Sequence, residues 1–147
     1  MNETAGDGLM VVFRDADRNR HARAAVLAAL GIQRRTRELN EELRGDIEPI
    51  AMKIGVNSGI AAVGATKIEG LAGTRWTYTA SGPTTNIASR LAGLTERDTI
   101  ISEETPRRIG EEFDVEDLGP RALKNLRSPR RLSAACPWAR RLWGPRS

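Results

Sequence analysis

Asn86 and Arg90 are the two side chains of this sequence whose types and spacing best suit chemistry on a phosphate. Four residues apart on a helix, they project side by side from one face. Arginine brings a rigid fork of donors that matches phosphate oxygens, asparagine brings a neutral amide that can orient a hydroxyl, and the positive end of the helix dipole adds to both. Taken alone, an Asn-x-x-x-Arg pair also describes a solvated helix face, so the neighbouring elements decide its meaning. Trp76, Tyr78 and Ala80 alternate with Thr77, Thr79 and Ser81 at the period of a strand, and Gly82-Pro83 ends it because proline has no ladder donor. The pattern predicts a helix over 84–94, with Thr84 or Thr85 as its cap.

The run Gly82-Pro83-Thr84-Thr85-Asn86-Ile87-Ala88-Ser89-Arg90-Leu91, entered through Thr79-Ala80-Ser81 from a Tyr-containing strand, resembles the signature of the class III nucleotidyl (adenylate/guanylate) cyclase catalytic domain in its bacterial form. Two further segments agree in order and spacing: Gly6-Asp7-Gly8-Leu9-Met10-Val11-Val12-Phe13 near the start and Leu123-Lys124-Asn125-Leu126 near the end. The resemblance covers almost the whole chain. It implies an α+β, ferredoxin-like βαββαβ-derived domain with an antiparallel sheet and flanking helices. It also implies a reaction, in which the ribose 3′-hydroxyl of ATP or GTP attacks its own α-phosphorus, closes a 3′,5′-cyclic nucleotide and expels pyrophosphate in cyclic nucleotide signalling.

Residue roles follow from the same resemblance. Asp7 would hold Mg²⁺ or Mn²⁺, hard cations that prefer carboxylate oxygens. Asn86 would orient the ribose and Arg90 stabilise the pentacovalent phosphate, while Lys124 first and Arg127 second would reach the substrate phosphates. Glu3 and Thr79 occupy the family's base-selecting positions. An ionised Glu only accepts hydrogen bonds, so Glu3 complements the donors of guanine and leans toward GTP, whereas Thr79 decides nothing. In the family the metal carboxylates come from one subunit and the Asn/Arg pair from the other, which implies a homodimer or a heterodimer with another cyclase domain.

Two departures from the family pattern bear on activity. Asn125 stands where the family has glycine in its Leu-Lys-Gly segment. The family's second metal carboxylate lies on a strand that precedes the hairpin, and Asp15 and Asp17 cannot replace it because they fall at a helix start, where capping accounts for them. The expectation is therefore an N-terminally truncated domain, impaired alone, whose standing as an enzyme is left open. The alternative is a degenerate cyclase module that serves as dimerisation or regulatory partner of a complete cyclase.

Composition agrees with one globular domain: 147 residues, 39% hydrophobic and 29% charged, with no apolar run long enough to span a membrane. The single cysteine, Cys136, excludes an internal disulfide framework and a Cys-based zinc cluster, and makes a cytoplasmic setting the default. His21 sits alone in an Arg-rich helix start and reads as solvated. Of the 23 Lys and Arg, eight follow residue 120, where there is no Asp or Glu, so the first 120 residues carry 15 basic and 19 acidic groups, a net of −4. The tail interleaves Trp138 and Trp143 with Arg140 and Arg141; a solvated extension is the preferred reading, with nucleic acid or an anionic membrane surface as alternatives.

The remaining elements follow in order. Residues 1–13 read as a hairpin around Gly6-Asp7-Gly8, and 15–44 as a helix whose apolar stripe is Ala22, Val26, Ala29, Leu30, Ile32, Leu39 and Leu43. A buried strand spans 49–57 and continues over 60–64, and 65–75 is a loop or arm. A short strand over 99–102, a helix over 103–109 and an edge strand over 113–119 complete the domain. Domain boundaries are placed at 1–133 for the catalytic unit and 134–147 for the tail.

Overall fold

A computed structural model describes residues 2–5, 8–70, 73–95, 98–124 and 126–135, with the backbone alone at 2–5, 66, 68, 70 and 75–78. Strands β1 (Asn2–Ala5) and β2 (Gly8–Val11) pair antiparallel with Ala5 opposite Gly8. That register leaves a two-residue connection, Gly6-Asp7, which lies outside the described residues, and it is the hairpin the Asp-Gly signal predicts.

Helix α1 (Arg18–Glu42) begins at Asp17, whose carboxylate accepts from the backbone N–H of Asn19 at 2.8 Å and of Arg20 at 3.4 Å. Asp15 in turn accepts from the N–H of Asp17 at 3.0 Å. Both carboxylates act as local caps, as their position predicts. The buried stripe is Ala22, Val26, Ala29, Leu30 and Gln33. Ile32 does not join it: two residues past Leu30 it points about 200° around the axis, and it is 42% exposed.

Gln33 takes the place the apolar count gives to Ile32, and its amide donates to the carbonyl of Met52 at 2.8 Å. Seven residues on, Asn40 makes two bonds to Ile50, donating to its carbonyl and accepting from its N–H, both at 2.8 Å. These side chains take the backbone groups of 50–52 that a ladder would use. The strand is accordingly shorter than the sequence suggests: β3 is only Ile54–Val56.

Strands β4 (Ala62–Gly70) and β5 (Gly73–Ser81) form a long antiparallel arm, in register from Ala62 opposite Ser81 to Gly70 opposite Gly73. Of the loop or arm expected over 65–75 the structure has the arm, and it is mostly strand. Among the described residues the arm pairs only with itself, so the Trp76–Ser81 strand lies outside the main sheet.

After α2 (Pro83–Ala92) come β6 (Thr99–Ser102), α3 (Pro106–Ile109), β7 (Val115–Arg121) and β8 (Arg130–Ala135). The main sheet has the order β3-β6-β8-β7, with β3 and β6 parallel and the other pairs antiparallel. The fold is thus α+β with a mixed sheet. Strand β8 was not expected from the sequence, yet it is an inner strand, it buries Leu132 and Ala135, and it carries residues 134 and 135 into the sheet.

Adjacent residues of β6 face opposite sides, as strand geometry requires. Ile101 packs with Ala22, Val26 and Leu30 of α1 and with Ile109, Phe113 and Ala135. Ile100 packs with Leu91, Leu123 and Leu132, joined by Ile87 and Leu126. The sheet therefore lies between α1 on one face and α2 on the other. Among the described residues no helix is long and apolar enough to cross a membrane.

Candidate functional site

Helix α2 enters the site through Gly82, at φ +121° and ψ −173°, followed by Pro83 at the first helical position. A residue with a Cβ strains at that φ, and proline there gives up no helical bond. Neither Thr84 nor Thr85 acts as the cap, which corrects the sequence expectation. The Thr85 hydroxyl donates to the carbonyl of Gly82 at 2.9 Å, and the Thr84 hydroxyl donates to the carbonyl of Ile60. No side chain caps the first turn.

The opposite side of α2 is pressed onto β3. A Cβ on Gly55 would stand 2.1 Å from the carbonyl oxygen of Ala88 and 2.5 Å from the nitrogen of Ala92. With Leu91 buried and Ile87 packed beside it, the helix cannot roll, and this fixes which face turns outward. That face carries Asn86, exposed, and Arg90, partly exposed. Neither side chain has a hydrogen bond or ion pair among the described residues.

Lys124 and Arg127 are both exposed on the turn between β7 and β8. The turn is closed by the N–H of Leu126 donating to the carbonyl of Leu123 at 3.1 Å, and Asn125 within it lies outside the described residues. Leu123 and Leu126 belong to the same core cluster as Ile87 and Leu91. The basic turn and the Asn/Arg helix are therefore mounted on one piece of core.

Thr79 sits on β5 opposite Gly64, partly buried, three residues before the Gly82 turn. Glu3 pairs with Met10 in the first hairpin, and only its backbone is described. Asp7 falls outside the described residues. Among the described ones no group of three or more His, Cys, Asp or Glu could hold a metal ion. A carboxylate oxygen is the donor that hard divalent cations prefer, so the chemistry of an aspartate fits such an ion.

Sequence reasoning missed three polar residues beside α2. Asn57 donates through Nδ2 to the carbonyl of Thr84 at 2.9 Å. Arg130 donates to Glu103 at 2.7 Å, and both line a cleft of about 170 Å³ with Asn57, Thr84 and Ile87. An Asn between a buried β-branched run and Ser-Gly is a visible signal, but its partner 27 residues away is not. Among the described residues Arg130 is paired with Glu103, whereas no ion pair involves Arg90. Among the described residues the carboxyl held below its usual range lies elsewhere: Asp117 on β7, through its hydrogen bonds to Arg131 and then to the backbone of Gly119.

A sequence profile of the adenylate and guanylate cyclase catalytic domain matches residues 2–133. Among solved structures, the adenylyl cyclase CyaB from P. aeruginosa is 28% identical with a TM-score of 0.81, the match covering 92% of this chain and 70% of that one. The guanylyl cyclase Cya2 is 26% identical with a TM-score of 0.77, over 90% of this chain and 67% of that one. The guanylate cyclase domain of RhGC from Catenaria anguillulae, solved in complex with GTP, is 26% identical with a TM-score of 0.61, over 79% and 59%. No curated protein matches the chain.

Proposed function

The chain belongs to the adenylate and guanylate cyclase catalytic domain family, and from that premise we propose that it turns a nucleoside triphosphate, ATP or GTP, into its 3′,5′-cyclic nucleotide and pyrophosphate as part of a dimer in cytoplasmic cyclic nucleotide signalling. The observation that carries this reading is the pair Asn86 and Arg90, presented outward on one face of a helix held by its opposite side.

The protein has little covalent work to do in such a displacement; it positions the reactants and stabilises charge. The Asn86 amide holds the ribose so that the 3′-oxygen lies in line with the α-phosphorus. The Arg90 guanidinium meets the charge that grows on the equatorial phosphoryl oxygens. Lys124, and Arg127 beyond it, bind the β- and γ-phosphates and offset charge on the departing pyrophosphate. Glu3 accepts hydrogen bonds from the guanine edge, with Thr79 beside it on the base. Asp7 would hold Mg²⁺ or Mn²⁺, which when bound neutralises the triphosphate and acidifies the attacking hydroxyl.

A second reading takes the chain as the dimerisation partner of a complete cyclase. The chain then supplies Asn86 and Arg90 to a site whose metal carboxylates come from a complete cyclase. The test measures cyclic nucleotide formation from ATP or GTP with Mn²⁺, at concentrations that favour dimers, with Arg90→Ala as control. Turnover by the chain alone that vanishes in the control supports the first reading. Turnover only on adding a complete cyclase that lacks its own Asn/Arg pair supports the second, and none in either format defeats both.

A further inference from the structure

Neighbouring residues between β3 and β4 reach in opposite directions. Asn57 donates to the carbonyl of Thr84 at 2.9 Å, in the first turn of α2. Ser58 shares a hydrogen bond at 3.0 Å with the hydroxyl of Thr105, which is fully buried and lies 3.4 Å from the hydroxyl of Ser102 at the end of β6. The Thr84 hydroxyl closes the bracket by donating to the carbonyl of Ile60. With no capping side chain on α2, this bracket ties the first turn to the rigid corner between β6 and α3.

We propose that Asn57 is a positioning residue for the Asn86–Arg90 pair, setting the placement of the first turn of α2 through the Thr84 carbonyl. The inference rests on the cyclase reading above. Thr84 lies two residues before Asn86, and the pair shares one face, so a shift of that turn moves both groups. A displacement of about 1 Å at reacting groups costs on the order of 100-fold in rate. In helical geometry the Thr84 carbonyl also faces the N–H of residue 88, so removing Asn57 orphans no acceptor. The fold then loses little while the placement is lost.

The test mixes this chain with a complete cyclase of the family whose own Asn/Arg pair is replaced by alanine, so that turnover depends on Asn86 and Arg90 here. Asn57→Ala is expected to lower kcat about tenfold with KM and thermal midpoint nearly unchanged. Asn57→Asp, which keeps the shape without the donor, should do the same. In an Asn86→Ala background the added cost of Asn57→Ala should shrink well below tenfold, since residues acting as one unit are not additive. An unchanged kcat, a kcat that falls only in step with the thermal midpoint, or a full tenfold cost in that background overturns the proposal. Should the wild-type mixture make no cyclic nucleotide, the cyclase reading fails, and amide exchange decides the bracket. Faster exchange in Asn57→Ala confined to Asn86 and Ala88, the first-turn amides with helical partners, supports it, and unchanged exchange there overturns it.

Discussion

Arg90 and Lys124 are both cations assigned to phosphate, yet the chemistry asks different things of them. A guanidinium presents its donors as a planar fork, whereas an ammonium is a compact point charge on a flexible stem. Replacing Arg90 by lysine keeps the charge and loses the fork, so Arg90→Lys should lower kcat on the order of 100-fold, the cost typical of losing one well-placed donor to a developing oxyanion. Lys124→Arg should stay within about tenfold of wild type, with the loss in KM more than kcat. Steady-state kinetics of both variants checks the pair, and equal losses would show that charge alone matters at Arg90. Glu3 allows a sharper test of base choice. An acceptor complements the donors of guanine and not the bare N1 of adenine, so if Glu3 reads the base the ratio of kcat/KM for GTP over ATP should exceed one and fall at least about tenfold in Glu3→Lys. An unchanged ratio removes Glu3 from base selection.

The elements show where a sequence speaks for its structure and where it does not. Asp15 and Asp17 act as caps and the first hairpin forms where expected, with Gly8 already in its second strand, because each depends on residues no more than a few positions apart. The threonines of α2 reverse the expectation: local rules assign them to capping, but Ile60 claims the Thr84 hydroxyl from across the fold. Strand β8 is not legible in the sequence because Arg130-Arg131 and Ser133-Ala134-Ala135 have weak strand propensity, and its two neighbours in the sheet make it a strand. At this scale Gly55 is the critical contact. A methyl group there meets backbone atoms of α2, which cannot move aside as a side chain can. Gly55→Ala should therefore cost about 1–3 kcal/mol in urea unfolding and lower turnover through the displaced helix; full stability would mean α2 can slide along β3. The β7 edge offers a pH test. Arg131 and the Gly119 N–H hold the Asp117 carboxyl below its usual value near 3.8. A carboxyl depressed in the folded state stabilises above its unfolded value and loses that contribution as pH falls through its folded one. Asp117→Asn should thus be slightly less stable than wild type at pH 7, and the gap should close below about pH 4. A gap that persists in acid would assign the loss to β7 packing instead of charge.

At the scale of the whole molecule, the division of labour between subunits makes a quantitative claim. If Asp7 of one chain works with Asn86 and Arg90 of its partner, then Asp7→Asn and Arg90→Ala each destroy both sites of a homodimer. Mixed in equal amounts, half of the dimers formed at random pair the two variants, and each of those keeps one intact site of two. The mixture should recover about a quarter of wild-type turnover, the statistical value for a two-fold dimer with shared sites. Recovery should grow with total concentration up to the point where dimers saturate. Ile60 is 91% exposed although its carbonyl is fixed by the Thr84 hydroxyl at the root of α2, and an apolar side chain so exposed would be covered by the contact between subunits if it lies there. Ile60→Asp should leave the thermal midpoint of the dilute chain unchanged and shift the concentration needed for half-maximal recovery upward. A mixture that recovers nothing at any concentration would place all the catalytic groups of a site on one chain. Asn86 and Arg90 would then have to meet Asp7 within a single subunit.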